Sequence, residues 1–480
     1  MSGHFSRKSL AAILKDNAEG EHSLKRTLTS TNLVLLGVGG IIGAGIFVIT
    51  GQAAAQYAGP AIILSFILSG IACTFAALCY AELAAMIPIS GSAYTYAFAT
   101  MGKMMAWIVG WDLMLEYLFC ASAVSVGWSG YVVSFLKDFG VVIPSALTKA
   151  PYDHIVGAGW VATGGLVNVP AVLINLVLTG VLVVGIKESA NFNNLVVALK
   201  CTVLILFVLF GFSHINPENL TPFIPANSGE FGQFGISGIL RGAGVIFFAY
   251  IGFDGVSTLA QEAKNPQRDM PRGIIGSLAI STIFYILVAF VLTGVVHYSK
   301  LNVADPIAVA VNEVGEALFW LRPIIKIGAI AGLSSVILVL LMSQPRVFLS
   351  MARDGFLPPI FAKIHPKFRT PAIPTIICGV SAAFFGGVLP IGVLGELVSI
   401  GTLLAFVLVC LGVLILRKTD PEHPRPFKTP FVVPVSLLGA GTALLQMASL
   451  PFDTWIRLLI WMGLGMVVYF AYGVRHCKVD

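Results

Sequence analysis

The sequence predicts an all-α polytopic membrane protein, and three observations carry that reading. Of the 480 residues, 57% are hydrophobic and only 11% charged, with a mean hydropathy of +0.90. A soluble domain carries charge on about 25% of its residues. Apolar runs long enough for a membrane helix, about 20 residues, recur along the whole chain. Two of these runs are interrupted by glycines near mid-length, Gly37–Phe47 and Phe247–Gly255.

Taken in order, residues 1–28 are polar, without a signal-peptide apolar core, and are expected to form a cytoplasmic tail. The first span covers about Asn32–Gly51, and Gln52–Gly59 reads as a short turn. The second span, Pro60–Ile87, ends in Tyr80-Ala81-Glu82 and the turn formers Pro88-Ile89-Ser90-Gly91-Ser92-Ala93-Tyr94. The third, Met104–Leu136, carries Asp112 and Glu116 at a spacing that puts both on one helix face. A Gly- and Pro-punctuated loop, 137–168, precedes spans four (Val169–Ile186) and five (Asn191–Phe212), the latter with Lys200 inside it. The polar loop 214–235 closes the first half.

Span six, Ile236–Glu262, holds the second interruption. Span seven is Gly273–His297, and Pro306–Glu316 reads as a short helix lying on the outer surface. Spans eight to twelve are Pro323–Met351, Pro374–Leu389, Gly392–Leu416, Val432–Met447 and Trp455–Val474. The expected organisation is therefore a five-helix repeat over 29–213, a second over 236–417, a cytoplasmic loop at 418–431, two additional helices over 432–474 and a cytoplasmic tail at 475–480. With twelve spans, about 20 of the 29 lysines and arginines fall on the side of the N-terminus, the bias that the positive-inside rule associates with the cytoplasm. Both termini are expected there.

Five glycines in nine positions weaken a helix by roughly 1 kcal/mol each against alanine. Lipid cannot satisfy loose backbone groups, so a break at membrane depth must face protein or a wet cavity. Close helix packing through small residues is the competing explanation for Gly43-Ala44-Gly45. A second interrupted span at the matching position of the other half favours a break, because such pairs point to an inverted-repeat transporter with a midplane site. The half-helix amides suit a carboxylate and the exposed carbonyls an ammonium. A zwitterionic amino acid offers both.

The motifs Ile41-Ile42-Gly43-Ala44-Gly45-Ile46-Phe47, Pro88–Tyr94, Phe248-Ala249-Tyr250-Ile251-Gly252-Phe253-Asp254 and Asn265-Pro266-Gln267-Arg268-Asp269-Met270-Pro271 together resemble the amino acid–polyamine–organocation superfamily. Within it the chain looks most like a bacterial relative of the cationic amino acid transporters, over about residues 25–475. The resemblance implies the leucine-transporter-like fold, two inverted five-helix repeats plus two further helices. It implies that Ile41, Gly43, Ala44 and Gly45 hold the substrate carboxylate. It also implies that the carbonyls of Phe248, Ala249 and Ile251 receive the amino group, with Phe248 as a gate. Three positions depart from the pattern: relatives often have a hydroxyl residue at Ala44, and usually Thr or Ser near Pro345 and Glu near Lys103.

Lys200 lies roughly 14 Å into span five at 1.5 Å per residue. It either snorkels to the interface or marks an ion or proton pathway, the usual meaning of a charge at such depth. The resemblance implies that its ammonium stands where sodium-coupled relatives hold sodium, near first-span carbonyls and the hydroxyls of Ser334 and Ser335. The expected coupling ion is thus a proton, with no cofactor and no metal. Glu116, about 20 Å into span three, is either satisfied by neighbouring helices or a site acid for cationic substrates or proton transfer. Asp254 reads as a brace for the sixth-span break, with direct substrate contact as the alternative.

These observations lead to a secondary active transporter importing small neutral L-amino acids with a proton across the cell membrane; cationic amino acids are the second choice. An amino acid sensor on the same scaffold is the reading from another class, and the short tails leave little room for a signalling domain. A channel lacks a filter or charge ring here, and an enzyme lacks a nucleophile–base or metal constellation; neither the eight histidines nor the seven cysteines have metal-ligand spacing. The expected partners are substrate and membrane lipid, not nucleic acid. Room remains for a small accessory transmembrane subunit, and the sequence does not set an oligomeric state.

Overall fold

A computed structural model describes residues 28–89, 91–155, 159–184, 189–368 and 370–478. The expected tail up to residue 27, Ser90 of the second motif, Ile186 at the end of span four and Arg369 lie outside the described residues. Among those described, nine apolar helical stretches are long enough to cross a membrane, and Val169–Val184 and Ala372–Val388 are shorter apolar helices. The protein is therefore polytopic and predominantly helical.

Helix α1 (Ser30–Ile41) starts at a capping box in which Thr29 and Asn32 exchange backbone and side-chain hydrogen bonds. The expected turn over Gln52–Gly59 is not observed: helical turns continue through Ala58 and the chain reverses at Gly59-Pro60. Ala53, Ala54 and Ala55 are strong helix formers, which outweighs the polarity of Gln52 and Gln56. Helix α2 (Ile62–Met86) follows, then α3 (Ser92–Thr100), whose first turn falls in the expected loop Pro88–Tyr94, and the long α4 (Lys103–Asp138). The next loop holds an antiparallel hairpin, β1 (Tyr152–Ile155) with β2 (Gly159–Ala162), pairing Tyr152 with Ala162 and Asp153 with Val161. This hairpin departs from the all-α expectation.

Helices α5 (Val169–Val184), α6 (Ser189–Phe212) and α7 (Gly235–Ile246) lead to the second interruption. They are followed by α8 (Pro266–Val295), α9 (Pro306–Val314) and α10 (Leu321–Arg353). The last four are α11 (Ala372–Val388), α12 (Ile391–Thr419), α13 (Val432–Ser449) and α14 (Phe452–Val468). Helix α9 is seated by one face: Pro306, Ile307, Ala308, Ala310 and Val311 are buried while Asn312 and Glu313 are exposed. A Cβ on Gly51 would fall 2.5 Å from Pro306, and one on Gly130 2.5 Å from Ala304, so small residues on the first span and α4 admit it.

Two sets of contacts set the frame around the breaks. Helix α4 packs along α10 and α12, while α8 packs along α1 and α2. The last helix is tied to α4 through paired tryptophans. Trp111 donates to Trp461 O at 2.8 Å, Trp461 returns a bond to Trp111 O at 3.1 Å, and their rings stack at 4.9 Å. Buried indole N–H groups need such acceptors where no water competes. Where Leu28 enters the bundle, Leu28 N donates to Glu262 O and Lys264 N to Leu28 O, stitching the start of the first span to the end of the sixth.

Candidate functional site

The first interruption begins where Ile42 turns extended (ψ 96°) at the end of α1, and helix resumes as a wide turn over Gly45–Ile49. The carbonyls left by this irregular stretch are taken up by side chains. Thr50 Oγ1 donates to Gly45 O at 2.9 Å and Tyr131 OH to Phe47 O at 2.8 Å. At the second interruption a tight turn, Phe247–Tyr250, gives way to extended Ile251 and then Gly252 at φ +115°. Asp254 braces it, accepting from Gly252 N at 3.2 Å and from Tyr117 OH at 3.3 Å.

The two interruptions touch. A Cβ on Gly45 would lie 2.3 Å from Ala249 Cα, and one on Gly252 would lie 2.8 Å from the carbonyl carbon of Gly40. Only hydrogen fits at these crossings, and Gly252 in addition needs a φ that side chains disfavour. Gly43 faces Val336 at 3.1 Å from an added Cβ, and the methyl of Ala44 lies 3.7 Å from that point on Gly127. The ring of Phe248 lies beside Gly395, and Phe248, Ala249 and Ile251 are all buried.

Lys200 is fully buried, and its ammonium donates to Gly39 O at 2.5 Å and to Ile42 O at 2.8 Å. Its stem packs on Gly332 of α10, 3.2 Å from an added Cβ there. The hydroxyls of Ser334 and Ser335 bond elsewhere. Ser334 donates to Ile330 O and accepts from Trp128 Nε1, while Ser335 donates to Gly332 O, each at 2.8 Å. Helical serines readily bond the carbonyl a turn back, and that local choice wins here.

Glu116 and Asp112 are buried side by side on α4, and none of their four carboxyl oxygens meets a hydrogen-bond donor among the described residues. Asp112 points at Gly401, 2.8 Å from an added Cβ. Thr402 neighbours Glu116, but its hydroxyl donates to Val398 O at 3.0 Å. Asp254 is close enough to act electrostatically on Glu116. Three carboxyl groups thus gather between α4, the second break and α12.

Tyr285 of α8 belongs to the site although no sequence motif marks it. Its buried hydroxyl lies 2.7 Å from Ile41 O and 2.5 Å from Ala249 O, one carbonyl from each interruption. The available signal was a phenol inside an otherwise apolar run, since a hydroxyl at that depth must find a partner. A cavity of about 70 Å³ beside the crossing is lined by Leu28, Gly40, Gly252, Glu262, Ser343 and Arg346. Arg346 and Glu262 form an ion pair there at 3.5 Å.

The amino acid permease family model matches residues 28–469. The chain belongs to the amino acid permease family. The permease is 46% identical to the methylthioribose transporter of Bacillus subtilis and 43% identical to the branched-chain amino acid permease BcaP of the same organism, each across all of both chains. It is also 39% identical to the vacuolar cationic amino acid transporter 4 of Arabidopsis thaliana, over 88% of the permease and 68% of that protein. These relatives are transporters, and the permease is not an enzyme.

Proposed function

We propose that the permease is a proton-coupled symporter that imports small neutral L-amino acids across the cell membrane by alternating access. One observation carries the reading: two backbone interruptions cross in contact, and a buried lysine grips the carbonyls of one of them. Gly45 against Ala249 and Gly252 against Gly40 bring half-helix ends of both signs to one place. The carboxylate goes to the Gly43–Gly45 amides and the amino group to carbonyls of the Phe248–Ile251 turn. The proton is carried by Lys200. Charged, it clamps Gly39 O and Ile42 O; neutral, it loses the charge-assisted part of those bonds, about half their strength, and frees α1 to move. We further assign both termini and the Leu28 end to the cytoplasm, in an inverted five-plus-five arrangement with two additional helices.

The branched-chain amino acid permease BcaP among the relatives supports a neutral side chain. A cationic one is the second reading, supported by the unpartnered carboxyl groups of Glu116 and Asp112 and by the cationic transporters among the relatives. Uptake of labelled alanine into proteoliposomes, with an imposed pH gradient and no sodium, tests both. Alanine should accumulate and be displaced by neutral amino acids, and Lys200→Met should bind it but fail to concentrate it. Displacement by arginine, lysine and ornithine alone would replace the neutral reading, and accumulation by Lys200→Met at the wild-type level would remove Lys200 from coupling.

A further inference from the structure

Lys200 and Tyr285 hold neighbouring carbonyls of the same break from two different helices. Lys200, on α6, holds Ile42 O, and Tyr285, on α8, holds Ile41 O. Lys200 holds Gly39 O as well as Ile42 O, so its two bonds pin the backbone on either side of the peptide that carries Ile41 O, and that peptide can turn about its flanking φ and ψ only when the grip loosens. The Tyr285 hydroxyl also lies against Ala249 O of the sixth-span break, and it has one proton for two acceptors. It can satisfy Ile41 O or Ala249 O, and whichever it leaves is open to another donor. Its ring is held in place by Phe66 at 5.3 Å and Tyr250 at 5.2 Å, so the choice lies in the direction of the O–H bond. We infer that Tyr285 is the positioning residue through which the charge state of Lys200 reaches the amine-binding carbonyls of the sixth span.

This rests on the proton-coupled reading above and gives it a connection between its two sites. With Lys200 charged, Ile41 O is presented to Tyr285, and Ala249 O is left for the amino group of the substrate. When the proton leaves Lys200, its hold on Gly39 O and Ile42 O weakens and the Ile41–Ile42 peptide between them turns. The Tyr285 O–H then swings to Ala249 O and competes with the substrate amine, so proton loss and substrate release go together. The titratable groups facing the pair are the thiols of Cys201 beside Lys200 and Cys73 beside Tyr285, together with the phenol of Tyr250, whose hydroxyl is committed to Phe66 O at 2.8 Å.

The test is equilibrium binding of labelled alanine to the purified protein from about pH 5 to about pH 8, paired with proton-driven accumulation in proteoliposomes. Wild-type affinity should weaken about tenfold across that range, the worth of one charge-assisted hydrogen bond. Tyr285→Phe should bind alanine with affinity that is flat in pH, and should equilibrate alanine by counterflow without concentrating it. A Tyr285→Phe protein with wild-type pH dependence and wild-type accumulation overturns the inference, even if Lys200→Met is uncoupled. Wild-type binding that is itself flat in pH, with no accumulation, instead sinks the coupled reading beneath it. If Tyr285→Phe does not fold, 3,5-difluorotyrosine at the same position keeps the ring and strengthens donation. It should shift the pH profile, and an unshifted profile counts against the role.

Discussion

Alanine at position 45 is the smallest change that forces the two interruptions apart. Its Cβ would sit 2.3 Å from both the Cα and the Cβ of Ala249, where ordinary contact begins at 3.4 Å. The obstacle includes backbone, so no rotamer change relieves it, and the breaks must separate by about 1 Å. Displacement on that scale costs roughly 100-fold where a bound group must meet a preset geometry, and overpacking adds about 1–3 kcal/mol of lost stability. We expect Gly45→Ala to reach the membrane and to lose about two orders of magnitude in transport efficiency for alanine, close to 2.7 kcal/mol. Gly43→Ala is the control: its Cβ meets only a Val336 methyl at 3.1 Å, which a small side-chain shift can accommodate, so its loss should be far smaller. A second control, Ala249→Gly, should not rescue Gly45→Ala, because Ala249 Cα remains at 2.3 Å. Initial uptake rates against substrate concentration, normalised to surface protein, decide the matter. Wild-type kinetics for Gly45→Ala, or full rescue by Ala249→Gly, would refute the crossing as described.

Two further outcomes follow from charged groups away from the breaks. Glu82 is 1% exposed and accepts a two-pronged bond from Arg417 at 2.8 and 2.9 Å and a third from Thr429 N at 2.8 Å. Removing one partner from such a buried pair costs about 3–5 kcal/mol, so Glu82→Gln should lower the denaturation midpoint in detergent, and an unchanged midpoint would contradict the geometry. Outside the spans, burial raises the Asp305 carboxyl above the ordinary carboxylate range, against the opposing pull of Ser134 and the Lys326 charge. The folded state then binds that proton more tightly than the unfolded one, so stability rises as pH falls from the raised value through the ordinary one. Asp305→Asn should remove this acid-side gain from the pH profile of thermal unfolding, and superimposable profiles would argue against it.

Much of the frame was legible because the signals are local. Run length locates membrane helices, and glycines inside a run locate breaks: the interruptions fall at Ile42–Ala44 and Ile251–Phe253. Lys200 stood out for the same reason, since a charge in an apolar run needs a partner. Its partners were harder to name. The hydroxyls of Ser334 and Ser335 were available by type, yet each satisfies its own helix. Tyr285 was hidden because membrane helices are apolar all round, so periodicity does not tell which face meets the bundle. Glu82 and Arg417 are 335 residues apart, a separation at which no local pattern operates. The hairpin at Tyr152–Ala162 and the first turn of helix α3 were missed in loops whose Gly, Pro and Ser content masked short regular elements.

The segment between α12 and α13 is mostly exposed, yet Thr429 and the side chain of Arg425 turn inward. Arg425 leaves its guanidinium 4% exposed, closes the end of α12 through Leu416 O and Asp420 O, and stands 3.4 Å from the carboxylate of Glu82. Arg417 and Thr429 complete the set around that one acid. A chain ending after Thr419 would leave Glu82, on α2, without Thr429 N and without Arg425. A chain cut at that point is therefore not a detachable unit: the connecting segment before α13 supplies part of what holds the buried acid of α2.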